Sequence, residues 1–185
     1  MKYEPLTSDN FYNIYNCGNN KENLFIEERN YTYFMQLLEK YILPIANVWS
    51  YCLLKNHFHL LIRTKENLKD KIISQAFSNV FNAYSKAINK AYGRTGSLFK
   101  DRFSRIKIQD ENYLKQLIIY INANAVHHGF VEKAENYEHS SYSGLISDQQ
   151  TFLIRDEVIE LFENVENFKF VIQQKQELIK ELTFE

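Results

Sequence analysis

The stretch VWSYCLLKNHFHLLIRT, residues 48–64, restricts the fold of this chain more than any other segment. Two apolar runs, rich in β-branched and aromatic residues, are separated only by Lys55 and Asn56. Such a break predicts a tight antiparallel hairpin, with strands over 45–54 and 57–64. Side chains alternate faces along a strand, so His57 and His59 share one face while Phe58 and Leu60 share the other. A sheet built on this hairpin must present two imidazoles side by side.

Around the hairpin, residues 10–17 read as a further strand, followed by a turn at Gly18-Asn19-Asn20. Helical spacing of Tyr31, Phe34, Leu37, Leu38, Tyr41 and Ile42 predicts a helix over 28–43, stopped by Pro44. A longer apolar stripe from Ile72 to Ala91 predicts a helix over 68–92 that Gly93 can close. Residues 103–109 read as a fourth strand, and Asp110 as the N-cap of a helix to about Val126. Residues 130–150 look irregular, with helical patterns around 156–162 and 167–182. The order β α β β α β α is ferredoxin-like: an α+β fold with helices packed on one face of an antiparallel sheet, plus a helical C-terminal extension. The long helices also suit a mostly helical protein, but the β-rich aromatic segments disfavour it.

The chain has 185 residues, 45% of them hydrophobic, enough to fill the core of one domain. Cys17 and Cys52 make no disulfide framework, which suits a reducing cytoplasm. Neither a signal peptide nor an apolar run of membrane-spanning length is expected. The net charge of −1 conceals an uneven distribution. Residues 51–109 carry 12 basic against 3 acidic side chains, while 1–50 carry 4 against 6 and 110–185 carry 6 against 14. A basic centre between acidic flanks suggests a local surface for a polyanion, although a lysine-rich solvated helix face would give the same count.

A lone H-x-H is more often two ordinary polar residues on an open sheet face than a metal site. Here the imidazoles sit within LL…LLI, where unpartnered polar groups are costly. On the helix at 110–126, Leu114, Leu117, Ile118, Ile121 and Ala125 point toward the core. Tyr120 and Asn124 lie together on its flank, one turn apart. The plain readings are a rim tyrosine, as most of the 13 tyrosines must be, and a C-terminal capping asparagine. Taken together, the four side chains suggest phosphoryl transfer on DNA. A divalent metal ion, Mg²⁺ or Mn²⁺, held by His57, His59 and Asn124 would polarise the phosphate. Tyr120 would attack phosphorus, and a phenol of pKa about 10 needs the activation that a nearby cation supplies.

At these residues the sequence resembles the HUH-type single-tyrosine transposases, and among them the REP-associated tyrosine transposases. The matching segments are NCGNN (16–20), LLKNHFHLLI (53–62), SLFKDRFSRIKI (97–108), YINANAVHHGFV (120–131) and HSSY (139–142), in the family's order. The resemblance implies a catalytic domain over 1–145, with 146–185 as an extension. It also implies divalent-metal dependence and cleavage of single-stranded DNA near hairpins through a covalent 5′-phosphotyrosine. His57 and His59 match the family's metal-binding pair, Tyr120 its nucleophile and Asn124 its third ligand. Two departures stand out. Leu54-Lys55 replaces the usual Met-Pro, and Ala125 replaces a proline, so the helix is expected to run on past Asn124.

Arg94, Lys100, Arg102, Arg105 and Lys107 precede the catalytic helix and are candidates for phosphate contacts. Phe99 and Phe103, interleaved with them, suit the core better than base stacking. Two other classes compete with the transposase reading. One is a catalytically silent protein that binds single-stranded nucleic acid. The other is a zinc site recruiting Cys52, disfavoured because five residues separate it from His57, which places them on opposite faces of a regular strand. Either a monomer or a homodimer is compatible with the sequence.

Overall fold

The computed structural model describes residues 5–183, with side chains through 179. Strand β1 spans Phe11–Cys17, helix α1 Glu28–Tyr41, β2 Ala46–Leu54, β3 His57–Thr64, α2 Asp70–Ala91, β4 Ser104–Ile108 and α3 Glu111–His127. Three helices follow: α4 Tyr142–Ile146, α5 Arg155–Glu160 and α6 Val165–Thr183. The strands form one antiparallel sheet in the order β2-β3-β1-β4, the ferredoxin-like arrangement. Among the described residues no helix is long and apolar enough to cross a membrane.

Local signals account for the boundaries. Asn30 and Glu27 cap α1 reciprocally, and Asp110 caps α3 by accepting from the Tyr113 N–H at 2.7 Å. Gly93 adopts φ +61 just past α2, a conformation other residues resist. At Gly18 the constraint is space, because a Cβ there would lie 1.9 Å from the Glu22 carbonyl oxygen.

Helices α1 and α2 cover the sheet face that carries Phe58. Phe34 and Phe81 pack on that ring at 5.3 and 5.7 Å between centroids, and Phe99 and Phe103 pack in turn on Phe81. Both of those phenylalanines are core residues, as their setting suggested. Helices on one face only is the expectation that fails. Helix α3 lies on the opposite face, against β2 and the histidine side of β3. The reason is visible in α3: Leu114, Leu117, Ile118 and Ile121 need a sheet to cover them, and the first face is already filled by α1 and α2.

The segment after α3 is also more ordered than its composition suggested. Tyr142–Ile146 is helical, and 137–141 runs along the outer edge of β2. There Leu53 N–H donates to the His139 carbonyl at 2.9 Å and Ser141 N–H to the Tyr51 carbonyl at 2.9 Å. An edge that would otherwise be open is thereby paired. Helix α6 then packs on the outer side of α3, burying Phe168 and Ile172 in the same core as the sheet.

Candidate active site

The histidines enter the site from the start of β3. Their rings lie 5.7 Å apart, and the face they share also carries Tyr15 and Cys17 of β1. His57 Nδ1 lies 2.8 Å from the Asn56 side-chain oxygen. That oxygen can only accept, so Nδ1 carries the proton and Nε2 keeps its lone pair. His59 stacks on Tyr15 at 5.6 Å, and its Nδ1 is buried with no partner.

Helix α3 supplies the other two groups. The Tyr120 ring meets His59 edge-on at 5.5 Å and stays half-buried. Asn124 is 0% exposed, and neither its amide oxygen nor its amide nitrogen has a hydrogen-bond partner. A buried carboxamide in that condition costs free energy and points to something it was built to bind. It sits beside His57 without a hydrogen bond of ordinary geometry between them. The plain capping role does not apply to its side chain. Only its backbone carbonyl takes part, accepting from the His128 N–H at 3.0 Å.

Burial holds both imidazoles neutral. His59 is lowered to about 4, by burial first and then by the nearby His57 and His128. His57 is lowered by burial and by His128, with Asn124 opposing. In the metal-free protein the unfolded chain therefore binds the His59 proton first. Stability is full above the ordinary histidine pKa and falls as pH drops toward about 4, by on the order of 3 kcal/mol. Urea unfolding between pH 7 and pH 4 reads this directly. His59→Gln should flatten the difference, and a parent-minus-variant gap that ignores pH would contradict it.

The rotation of α3 is fixed by a buried polar network two residues from each functional side chain. Asn122 Nδ2 donates to Ser50 Oγ at 3.0 Å and to the Ile118 carbonyl at 2.9 Å, while its Oδ1 accepts from Ser141 Oγ at 2.8 Å. Ser50 and Ser141 hydroxyls lie 2.9 Å apart, and Ser141 Oγ accepts from the Tyr51 N–H. The segment HSSY thus pins α3 to β2. Asn122→Leu should destabilise the protein by about 1–3 kcal/mol in urea unfolding, because it removes three buried side-chain hydrogen bonds and leaves each serine hydroxyl one partner short.

The motif NCGNN ties the basic loop to the histidine strand. Gly18 N–H donates to the Asn56 carbonyl at 2.8 Å, Asn19 N–H to the Leu98 carbonyl at 2.8 Å, and Lys100 N–H to the Cys17 carbonyl at 2.9 Å. Asn16 Nδ2 reaches the Asp101 carbonyl at 3.0 Å. Lys100 and Arg102 are thereby brought to the rim of a cavity of about 410 Å³ that His57 and His59 line. The other candidate cations lie elsewhere. Arg94 pairs with Glu22. Arg105 lies over the Phe103 ring at 4.3 Å, and the register puts Arg105 and Lys107 on the sheet face away from the histidines.

Cys52 needs a correction. It pairs directly with His59 across the hairpin, so it shares the histidine face and does not oppose it. The two-residue turn reverses the count that a single strand would give. Burial nonetheless pushes its thiol up to about 12, far from the thiolate a zinc site uses. Among the described residues no three His, Cys, Asp or Glu side chains group closely enough to hold a metal. The polar side chain that stands beside the pair is the Asn124 amide.

His128 belongs to the site and was not singled out from the sequence. Its ring is 4.7 Å from His57. Its position four residues beyond Asn124, on the same helix face, was the available signal. His127 lies 6.3 Å from the Tyr120 ring.

No family model matches this sequence, and no curated protein matches it. Among solved structures, a REP-associated tyrosine transposase bound to a REP hairpin aligns with 80% of this chain and 85% of its own, at a TM-score of 0.66 and 15% identity. This chain has the REP-associated tyrosine transposase fold. A second solved chain, from Deinococcus radiodurans R1 and named only as a candidate transposase, aligns with 63% of this chain and 92% of its own, at 9% identity and a TM-score of 0.43. At 15% identity the first of these likenesses speaks to the fold and leaves the chemistry to the residues.

Proposed function

We propose that this protein nicks and rejoins single-stranded DNA through a covalent 5′-phosphotyrosine at Tyr120, acting as a metal-dependent transposase of the HUH type. The observation that carries this is the Asn124 carboxamide, fully buried and unpartnered, beside two neutral imidazoles with the Tyr120 ring against one of them. Neutral nitrogens and an amide oxygen suit a divalent cation, with His57, His59 and Asn124 as the residues that would hold it. When bound, that cation withdraws charge from a non-bridging oxygen of the scissile phosphate.

The remaining work falls to the chain itself. Tyr120 oxygen forms a bond to phosphorus, the bond from phosphorus to the 3′ oxygen breaks, and the phenolic proton ends on the departing 3′-hydroxyl. The phosphodiester energy is kept in the tyrosyl ester, so rejoining needs no nucleotide cofactor. Lys100 and Arg102 at the rim hold flanking phosphates. Arg94, Arg105 and Lys107 contribute to the field of the basic centre and not to the pocket itself. All four reacting and binding groups come from one chain, so a monomer suffices. Residues 1–145 form the catalytic unit in this reading, and 146–185 brace α3 through α6.

Hairpin-bearing DNA is the substrate to try, because the fold neighbour was solved on a hairpin. Incubation with a hairpin flanked by single strands should give a covalent protein–DNA band on a denaturing gel with Mg²⁺ or Mn²⁺. A chelator should remove the band by at least about a hundredfold. Strong single-strand binding without any adduct in either metal would instead leave a silent binding protein.

A further inference from the structure

The loop 97–103 that walls the histidine cavity is a saddle with two flanks. One flank faces His57 and His59, and the other faces α2 across a groove of about 690 Å³. Lys100 and Arg102 border both sides. Across the groove, Ser74, Ser78, Asn82 and Ser85 fall on one face of α2 at helical spacing. Hydroxyls and an amide therefore oppose two exposed cations. Among the described residues Asp101, on the saddle itself, is the one carboxylate that lines the groove. Phe81, Phe99 and Phe103 form its floor but are more than nine-tenths buried, too covered to stack a base.

We infer that this groove is the track of the DNA strand on one side of the scissile phosphate. The strand crosses the saddle at Lys100 and Arg102 and lies along the serine face of α2. Contacts of this kind, cations and hydroxyls without an exposed aromatic platform, take phosphates and carry little sequence information. Binding along the track is therefore tolerant of sequence and sensitive to salt. The inference rests on reading the histidine pocket as the DNA site.

The test uses fluorescence anisotropy of a labelled oligothymidylate of about 20 nucleotides, long enough to span pocket and groove, with chelator present to prevent cleavage. Ser78→Glu combined with Asn82→Glu should weaken binding by about tenfold or more at low salt. Gln75→Glu with Asn79→Glu adds the same charge on the other edge of α2, where those side chains bond to each other. That control should stay within about twofold of the parent. Asn82→Lys should tighten binding by a few-fold, a gain that misfolding does not produce. The track is refuted if the groove pair behaves like its control, or if Asn82→Lys leaves affinity unchanged. Adduct formation at Tyr120 is scored separately on the parent. Adduct with indifferent groove variants sinks the track alone, whereas groove-dependent binding with no adduct sinks the transposase reading alone.

Discussion

Tyr120→Phe should abolish the covalent DNA adduct, lowering its formation by at least about four orders of magnitude. The substitution deletes one oxygen and leaves everything else in place. The Tyr120 ring contacts His59 and His127, and among the described residues its hydroxyl has no hydrogen-bond partner. The phenylalanine ring keeps those contacts, so the thermal midpoint and the affinity for uncleaved single strands should match the parent. Denaturing gels score the adduct, and anisotropy scores the binding. An adduct that persists in the variant would move the nucleophile to another residue.

Asn124→Leu should separate stability from activity in the opposite sense to most core substitutions. Both polar atoms of this amide are buried without partners. Leucine has nearly the same shape and no such atoms, so the metal-free protein should gain about 1–3 kcal/mol in urea unfolding. Adduct formation should fall by at least about a hundredfold, because the oxygen donor is gone. Asn122→Leu, two residues earlier on the same helix, makes the same chemical change where every polar atom is paired, and its stability effect has the opposite sign. A pair of leucine variants with matching stability effects would show that Asn124 is an ordinary structural amide.

The parts of this molecule set by local pattern were legible in the sequence. The Lys55-Asn56 turn, the alternation that aligns His57 with His59, and the stripe on α2 follow from backbone periodicity, and their boundaries fall within a few residues. The pairing of Tyr120 with Asn124 on adjacent turns follows from helix geometry in the same way. What escaped depends on which surfaces meet. The face of the sheet that α3 covers is decided by competition with α1 and α2, and no single helix records that. The shared face of Cys52 and His59 depends on a register that only the closed hairpin defines. The Ser50–Asn122–Ser141 network joins residues 91 positions apart. His128 reaches His57 only because α3 runs straight through Ala125 to His127, as the missing proline allows.

The basic segment shows the same division. Its charge was countable, but the use of each cation was not. Lys100 and Arg102 reach the pocket because NCGNN holds their loop there, whereas Arg94 is spent on Glu22 and Arg105 lies over Phe103.

The most direct test is to map the attachment site on the unaltered protein. Reaction with a hairpin-bearing strand and Mn²⁺, followed by proteolysis and mass spectrometry, should return a single nucleotide-bearing peptide modified at residue 120. A phosphotyrosyl nucleotide on any of the other twelve tyrosines, or no modified peptide when strands are cut, would contradict the account.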